Sequence, residues 1–273
     1  MIRRGKNNHK TTMIQINLAV LIVSLLTVLK AAGQDLSLYQ KKWLVQDTDT
    51  LPYRVLLPQH YDSSKHYPIL FFLHGGGERG SDNEKQLTHG AKLFVREKVR
   101  RDFPAIVIFP QCPLTSYWSN VVRLHDASGK RRFRFLEDGQ PTRAMALLQQ
   151  LVVFALQEYP VQKDAVYVGG LSMGAMGTYE LVRRNPGVFR RAFAICGGAQ
   201  PTTAKKLKKT DWWIFHGLKD DVVDPQFSQS MAAALKKCHA DVRLTLYPGA
   251  NHNSWDSAFA EPQLLPWLFS GSK

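Results

Sequence analysis

The sequence predicts an α/β protein with a mostly parallel central sheet covered by helices on both faces. Three observations carry that prediction. Short apolar, β-branched runs alternate along the chain with helix-forming segments, an order that pairs strands in parallel through crossover helices. The run Ile69-Leu70-Phe71-Phe72-Leu73 is apolar without alternation, as suits a strand buried on both sides. A chain of 273 residues with 44% apolar composition can also bury one large core, and folds of this class and size are commonly one domain.

Taken in chain order, the first element is a leader. Arg3, Arg4, Lys6 and Lys10 precede a mostly apolar run from Ile14 to Leu29, which ends in Ala31-Ala32-Gly33. That layout predicts a signal peptide over residues 1–33, cut before Gln34 and followed by a single catalytic domain over 34–273. The run is 16 residues long and contains Gln15, Asn17, Ser24 and Thr27, whereas a spanning helix wants about 20 apolar residues. The mature chain is therefore expected to be secreted or periplasmic with no stable membrane insertion, an uncleaved anchor being the alternative. Strands are predicted over 53–57, 69–73, 105–109, 165–168, 192–195, 212–215 and 242–247. Helices are predicted near 87–99, 143–158, 176–184, 228–237 and 263–269. Residues 117–139 interrupt this rhythm, and within them 121–135 alternate like a hairpin closed by a Ser-Gly turn.

One motif carries chemistry. Gly170-Leu171-Ser172-Met173-Gly174 follows a predicted strand and opens a predicted helix. In that context G-x-S-x-G makes a turn so sharp that the positions two residues either side of the serine must lack a bulky Cβ, and the hydroxyl is pushed above the sheet. A serine is a poor nucleophile until a base takes its proton, so a histidine and an orienting acid are required. Both follow in the chain. His216-Gly217-Leu218-Lys219-Asp220-Asp221 comes after one predicted strand, and Pro248-Gly249-Ala250-Asn251-His252 after another, both at the sheet edge where such sites converge. The negative charge of a tetrahedral intermediate needs placed N–H donors. Met173, next to the serine, should give one, and Gly76, in Leu73-His74-Gly75-Gly76-Gly77, the other.

From about Tyr53 to Phe269 the chain resembles the α/β-hydrolases. It is similar to the secreted phospholipase/carboxylesterase-like, feruloyl-esterase-like and prolyl-oligopeptidase-type branches. HGGGERG (74–80), PQCP (110–113), GGLSMGAMGTYE (169–180), ICGGA (195–199), HGLKDDVV (216–223) and PGANHNSWDSAF (248–259) carry the resemblance. It implies the α/β-hydrolase fold, a Ser172, His252, Asp220 triad with Asp220 preferred to Asp221, a hydrolase activity and no cofactor or metal. Asp224 departs from the family pattern, which often has proline directly after the valines. The expected function is hydrolysis of a small-molecule or polymer-linked carboxylic ester through an acyl-enzyme. A peptidase using the same atoms, and a catalytically silent binding protein of the same fold, are the alternatives.

Other features are read alongside. Gly75-x-Gly77-x-x-Gly80 also fits a dinucleotide-binding fingerprint, but no acid stands about 20 residues on at the end of the next strand, and that reading leaves Ser172, Asp220 and His252 unexplained. Trp118 and Trp255 fall near strand-end loops, where each can line a substrate pocket or pack. His74 and His216, before glycines at strand ends, read as loop supports. His60, His66, His89, His125 and His239 have no partner pattern and read as surface residues. Glu78 and Arg79 either steer a substrate or brace their loop through an ion pair. With the usual strand order of the fold, Cys112 and Cys196 end strands three steps apart. At about 4.8 Å per step that exceeds the roughly 7 Å reach of a disulfide, so both are expected free and buried; Cys238, on a helix, has no evident mate. The net charge is +14, and removing residues 1–33 takes away five basic and no acidic residues, leaving +9. No aromatic-basic interleaving suggests nucleic acid. The basic hairpin is expected to help recruit acidic polymers such as decorated polysaccharide.

Overall fold

The computed structural model describes residues 1, 35–127, 129 and 131–271. The leader expected over 1–33 lies outside them apart from its first residue. From Asp35 on, the described residues form one compact unit. Its strands are β1 (Gln40–Gln46), β2 (Asp49–Leu56), β3 (Tyr67–Leu73), β4 (Ile106–Pro110), β5 (Val121–His125), β6 (Arg131–Phe135), β7 (Val161–Leu171), β8 (Arg191–Ile195), β9 (Asp211–Gly217) and β10 (Val242–Tyr247). Its helices are α1 (Ala91–Phe94), α2 (Glu97–Asp102), α3 (Arg143–Glu158), α4 (Met173–Arg184), α5 (Ala204–Leu207), α6 (Pro225–Lys237), α7 (Trp255–Phe259) and α8 (Leu264–Phe269).

Eight strands form one sheet in the order β1-β2-β4-β3-β7-β8-β9-β10. β2 pairs antiparallel with β1 and with β4, and the remaining pairs are parallel. The apolar run of β3 is buried throughout, because successive side chains feed opposite faces. Ile69, Phe71 and Leu73 join the core beneath α3, α4 and α6, whereas Leu70 and Phe72 join the core beneath α1 and α8. Helices therefore cover both faces, as the sequence predicts. Among the described residues no helix is long and apolar enough to cross a membrane.

Three expectations are corrected. An edge strand that the sequence reading omits, β1, adds to the sheet; only Leu44 of its seven residues is buried, so it lacks the apolar signature of a strand. The helix expected over 87–99 is instead two short helices parted by Arg96, whose backbone is extended. Helix α6 begins at Pro225 rather than 228, since Asp224 caps it by accepting from the N–H of Gln226 (2.9 Å) and proline fits the first turn. The hairpin forms, with Val121 opposite Phe135 and His125 opposite Arg131. β4 and β8 are separated by β3 and β7, and all three cysteines are free, Cys112 and Cys196 buried.

Candidate active site

The parallel strands deliver their C-terminal ends to one edge, and the turn from β7 into α4 stands there. Ser172 occupies it with φ +52° and ψ −115°, a strained region for a residue with a side chain, costing about 1–3 kcal/mol. The neighbours show what holds it. A Cβ on Gly174 would overlap the carbonyl oxygen of Leu73, and one on Gly170 would lie 2.5 Å from the backbone of Gly174. β3, β7 and α4 thus close on one another only because both positions lack side chains. Ser172 N–H donates to the Ile195 carbonyl (2.8 Å), which ties the turn to β8.

Side chains from three strand ends meet above this turn. Ser172 Oγ lies 2.9 Å from His252 Nε2, and His252 Nδ1 lies 2.7 Å from Asp220 Oδ2. An ionised carboxylate only accepts, so the proton of a neutral His252 sits on Nδ1 and Nε2 is left to accept from the serine hydroxyl. Asp220 follows β9 and has a fully buried side chain. Its Oδ1 accepts from the N–H groups of Val222 and Val223 (both 2.9 Å), and its Oδ2 also faces His216 Nε2 at 3.1 Å. Burial alone would raise this carboxyl, but hydrogen bonds from His216, His252 and Val223 outweigh it and hold the group well below the usual carboxylate range. Asp221 is exposed and donates its N–H to Asn251 Oδ1. The same Asn251 oxygen accepts from His252 N–H (2.7 Å), so one side chain fastens the acid loop to the histidine loop.

The glycine loop after β3 stands over the serine. Gly75, Gly76 and Gly77 line, with Ser172 and His252, a cleft of about 620 Å³. Gly76 opens a short 3-10 turn and Met173 opens α4, the kind of position at which a helical N–H has no intrahelical acceptor. Fully buried His74 supports the loop from below. Its Nδ1 donates to the Gly75 carbonyl (2.6 Å), and its Nε2 accepts from Cys112 N–H (2.9 Å). Burial lowers its pKa to about 4, which keeps Nε2 free to accept. Gln111 adds a brace, donating to the Glu78 carbonyl and to Asp82.

Several expectations resolve here. Trp255 lines the cleft, with its ring 5.5 Å from that of His252 and 5.0 Å from that of His89. Trp118, expected at the substrate pocket, is fully buried instead. It lies edge-on to His74 (5.5 Å), and α4 comes so close that a Cβ on Gly177 would overlap it; it is a support under the glycine loop. Glu78 and Arg79 form no ion pair with each other. Glu78 faces His74 and His89, while Arg79 donates to the carbonyls of Gly76, Leu114 and Ser116. His89 and His125, read as surface residues, line the cleft; His125 is exposed, as read, and His89 is half-buried. His216 is a support, as expected, and its contact with Asp220 is an addition that no local sequence signal announces.

Cys196, Asp220 and His252 offer ligand atoms within 4.8 Å of one another, a spacing compatible with a metal ion. The chemistry of the set fits poorly. Burial pushes the Cys196 thiol far above its usual value, whereas a metal needs the thiolate, and Asp220 already accepts from four donors.

A family model described as phospholipase/carboxylesterase matches residues 60–263. No curated protein sequence matches the chain. Among solved structures it is similar to a thermostable esterase, with 28% identity over 85% of this chain and a TM-score of 0.75. The match spans 63% of that esterase's length. A ferulic acid esterase from Anaeromyces mucronatus, in complex with ferulic acid, shares the fold at 17% identity, covering 81% of this chain and 86% of its own, with a TM-score of 0.58. Pyrococcus horikoshii acylaminoacyl peptidase does so at 13% identity, covering 85% and 41%, with a TM-score of 0.59. By its sheet order, its strand-end cleft and the match over residues 60–263, this chain belongs to the phospholipase/carboxylesterase family of α/β-hydrolases.

Proposed function

We propose that the protein is a serine esterase, exported from the cell, that cleaves carboxylic esters through an acyl-enzyme. The observation that carries this is the unbroken run from Ser172 Oγ to His252 at 2.9 Å and from His252 to Asp220 at 2.7 Å. Ser172 Oγ forms a bond to the acyl carbon as His252 Nε2 takes its proton, and the carbonyl electrons move onto oxygen. The N–H groups of Gly76 and Met173 meet that oxyanion, each donor of this kind contributing about 3 kcal/mol to lowering the barrier. The tetrahedral centre collapses, the C–O bond to the alcohol breaks, and the alcohol leaves with the proton from His252. Water repeats the sequence on the acyl-enzyme and releases the acid. Asp220 stabilises the imidazolium formed in each half. This chemistry calls for no cofactor and no metal.

The test pairs an aryl acetate with its matched anilide and adds fluorophosphonate labelling. Wild-type protein should hydrolyse the ester and be labelled at Ser172, and Ser172→Ala should lose both. Turnover of the anilide without the ester would point to the peptidase, and an unlabelled, inactive wild type to the silent binding protein. Export rests on the basic-apolar-small layout of residues 1–33; a secreted product whose N-terminus is still Met1 would refute the cleavage.

A further inference from the structure

The cleft that holds Ser172 is one-sided in charge. Arg79, Arg123 and Arg131 line it, against Glu78 as the one carboxylate among its lining residues. The hairpin explains how two of them come to be there. Arg123 stands opposite Phe133, and His125 opposite Arg131, and alternate residues of a strand share a face. These four side chains therefore project together, and all four line the cleft. Arg132 and Arg134 alternate onto the other face.

Several arginines outside the cleft pair with acids. Arg132 meets Asp126, Arg143 meets Asp49, and Arg183 and Arg184 share Glu180. Arg123 and Arg131 have no carboxylate partner among the described residues. Arg123 lies over the Tyr117 ring at 4.8 Å, and Arg79 approaches the same ring at 5.9 Å. Three guanidinium groups gathered against one carboxylate in a concave site leave a net positive charge that attracts an anion. Their planar forks suit an oxyanion held by two parallel hydrogen bonds.

We propose that the cleft takes an ester whose acyl or alcohol part carries an anionic oxygen group, a carboxylate or a phosphate, bound by Arg123 and Arg131 while the ester reaches Ser172. This assignment of substrate class rests on the esterase reading. The hairpin is then a specificity element within the cleft, not only a diffuse positive surface.

The experiment measures kcat/KM on matched esters. The 4-nitrophenyl monoester of glutarate is compared with 4-nitrophenyl valerate, and 4-acetoxybenzoate and 4-acetoxyphenyl phosphate with 4-acetoxybenzamide. Wild-type protein should favour at least one charged ester over its neutral match by about tenfold, the scale of one hydrogen bond to a charged group. The arm showing the preference identifies the anion and the side of the ester that bears it. R123Q/R131Q should abolish the preference, and each single variant should lose part of it. R132Q/R134Q removes the same net charge from the opposite hairpin face and should retain the preference. Equal turnover of charged and neutral esters by wild type would overturn the proposal, as would its loss in R132Q/R134Q to the same extent as in R123Q/R131Q. Absence of turnover on every ester would overturn the esterase reading itself, and the subsite with it.

Discussion

Replacing Asp220 by asparagine changes one atom in a fully buried side chain whose four hydrogen bonds are known. Oδ1 still accepts from Val222 and Val223. The new amide NH2 takes the place of Oδ2 and faces His252 Nδ1 at 2.7 Å and His216 Nε2 at 3.1 Å. His216 Nε2 also faces the Val223 carbonyl at 2.9 Å, so it faces acceptors only and carries a proton. Two donors then oppose two donors. His252 can relieve its half of the conflict by moving its proton to Nε2, but that nitrogen then donates toward Ser172 and no longer accepts. The wrong tautomer of a triad histidine costs about 10⁴-fold in kcat, or about 5 kcal/mol of barrier. Steady-state hydrolysis of 4-nitrophenyl acetate measures the loss, with circular dichroism to show that the variant is folded. Asp221→Asn, at an exposed site, is the control and should retain wild-type turnover. A folded Asp220→Asn enzyme within tenfold of wild type, or an Asp221→Asn enzyme as impaired as Asp220→Asn should be, would refute the assignment of the acid.

Two further outcomes follow from the supports. His216→Ala removes a donor to Asp220 and leaves Ser228 Oγ without its ring partner, costs of about 1–3 kcal/mol in a buried setting; kcat should fall about tenfold with little change in KM, and a kcat within twofold of wild type would remove His216 from the positioning of Asp220. Acidification should destabilise the fold through His74, whose burial lowers its pKa to about 4. Between about pH 6.5 and 4 the unfolded chain binds a proton that native His74 does not. Stability therefore falls as pH drops through that window, by about 3 kcal/mol. Asp220, held low, adds its own loss only at more acidic pH, below the ordinary carboxylate value of about 3.9. Guanidinium unfolding at pH 7 and 4.5 should show this slope in wild type and a flatter one in His74→Gln, and equal slopes would exclude His74 as the source.

The residues around Ser172 were legible because their chemistry is tied to local spacing. A five-residue turn that closes only with glycines at both ends announces itself, and its partners lie at the ends of strands that are apolar enough to be seen. Asp220 could be preferred to Asp221 only through the resemblance, since adjacent acids look alike until one is buried. What stayed hidden depends on contacts distant in the chain. Trp118 could not be told from a pocket wall, because its neighbours are His74 and Gly177. Nor could the place of His89 and His125 at the cleft be read, because only the folded hairpin and Trp255 bring them there. The edge strand β1 escaped for another reason: Lys41, Lys42 and three glutamine or tryptophan positions face solvent, and a charged, half-wet edge that resists pairing with other chains carries no strand signature.

The two ends of the 121–135 insertion lie side by side, where Leu136 N–H donates to the Asn120 carbonyl at 3.1 Å. A segment that leaves and rejoins the scaffold at a single point can be lengthened, shortened or exchanged without disturbing the register of the main sheet. On the proposed function and subsite, selectivity and bond-breaking would be housed in separable parts, and a graft of another hairpin at this junction should retune which ester is accepted while leaving the hydroxyl and its imidazole where they stand.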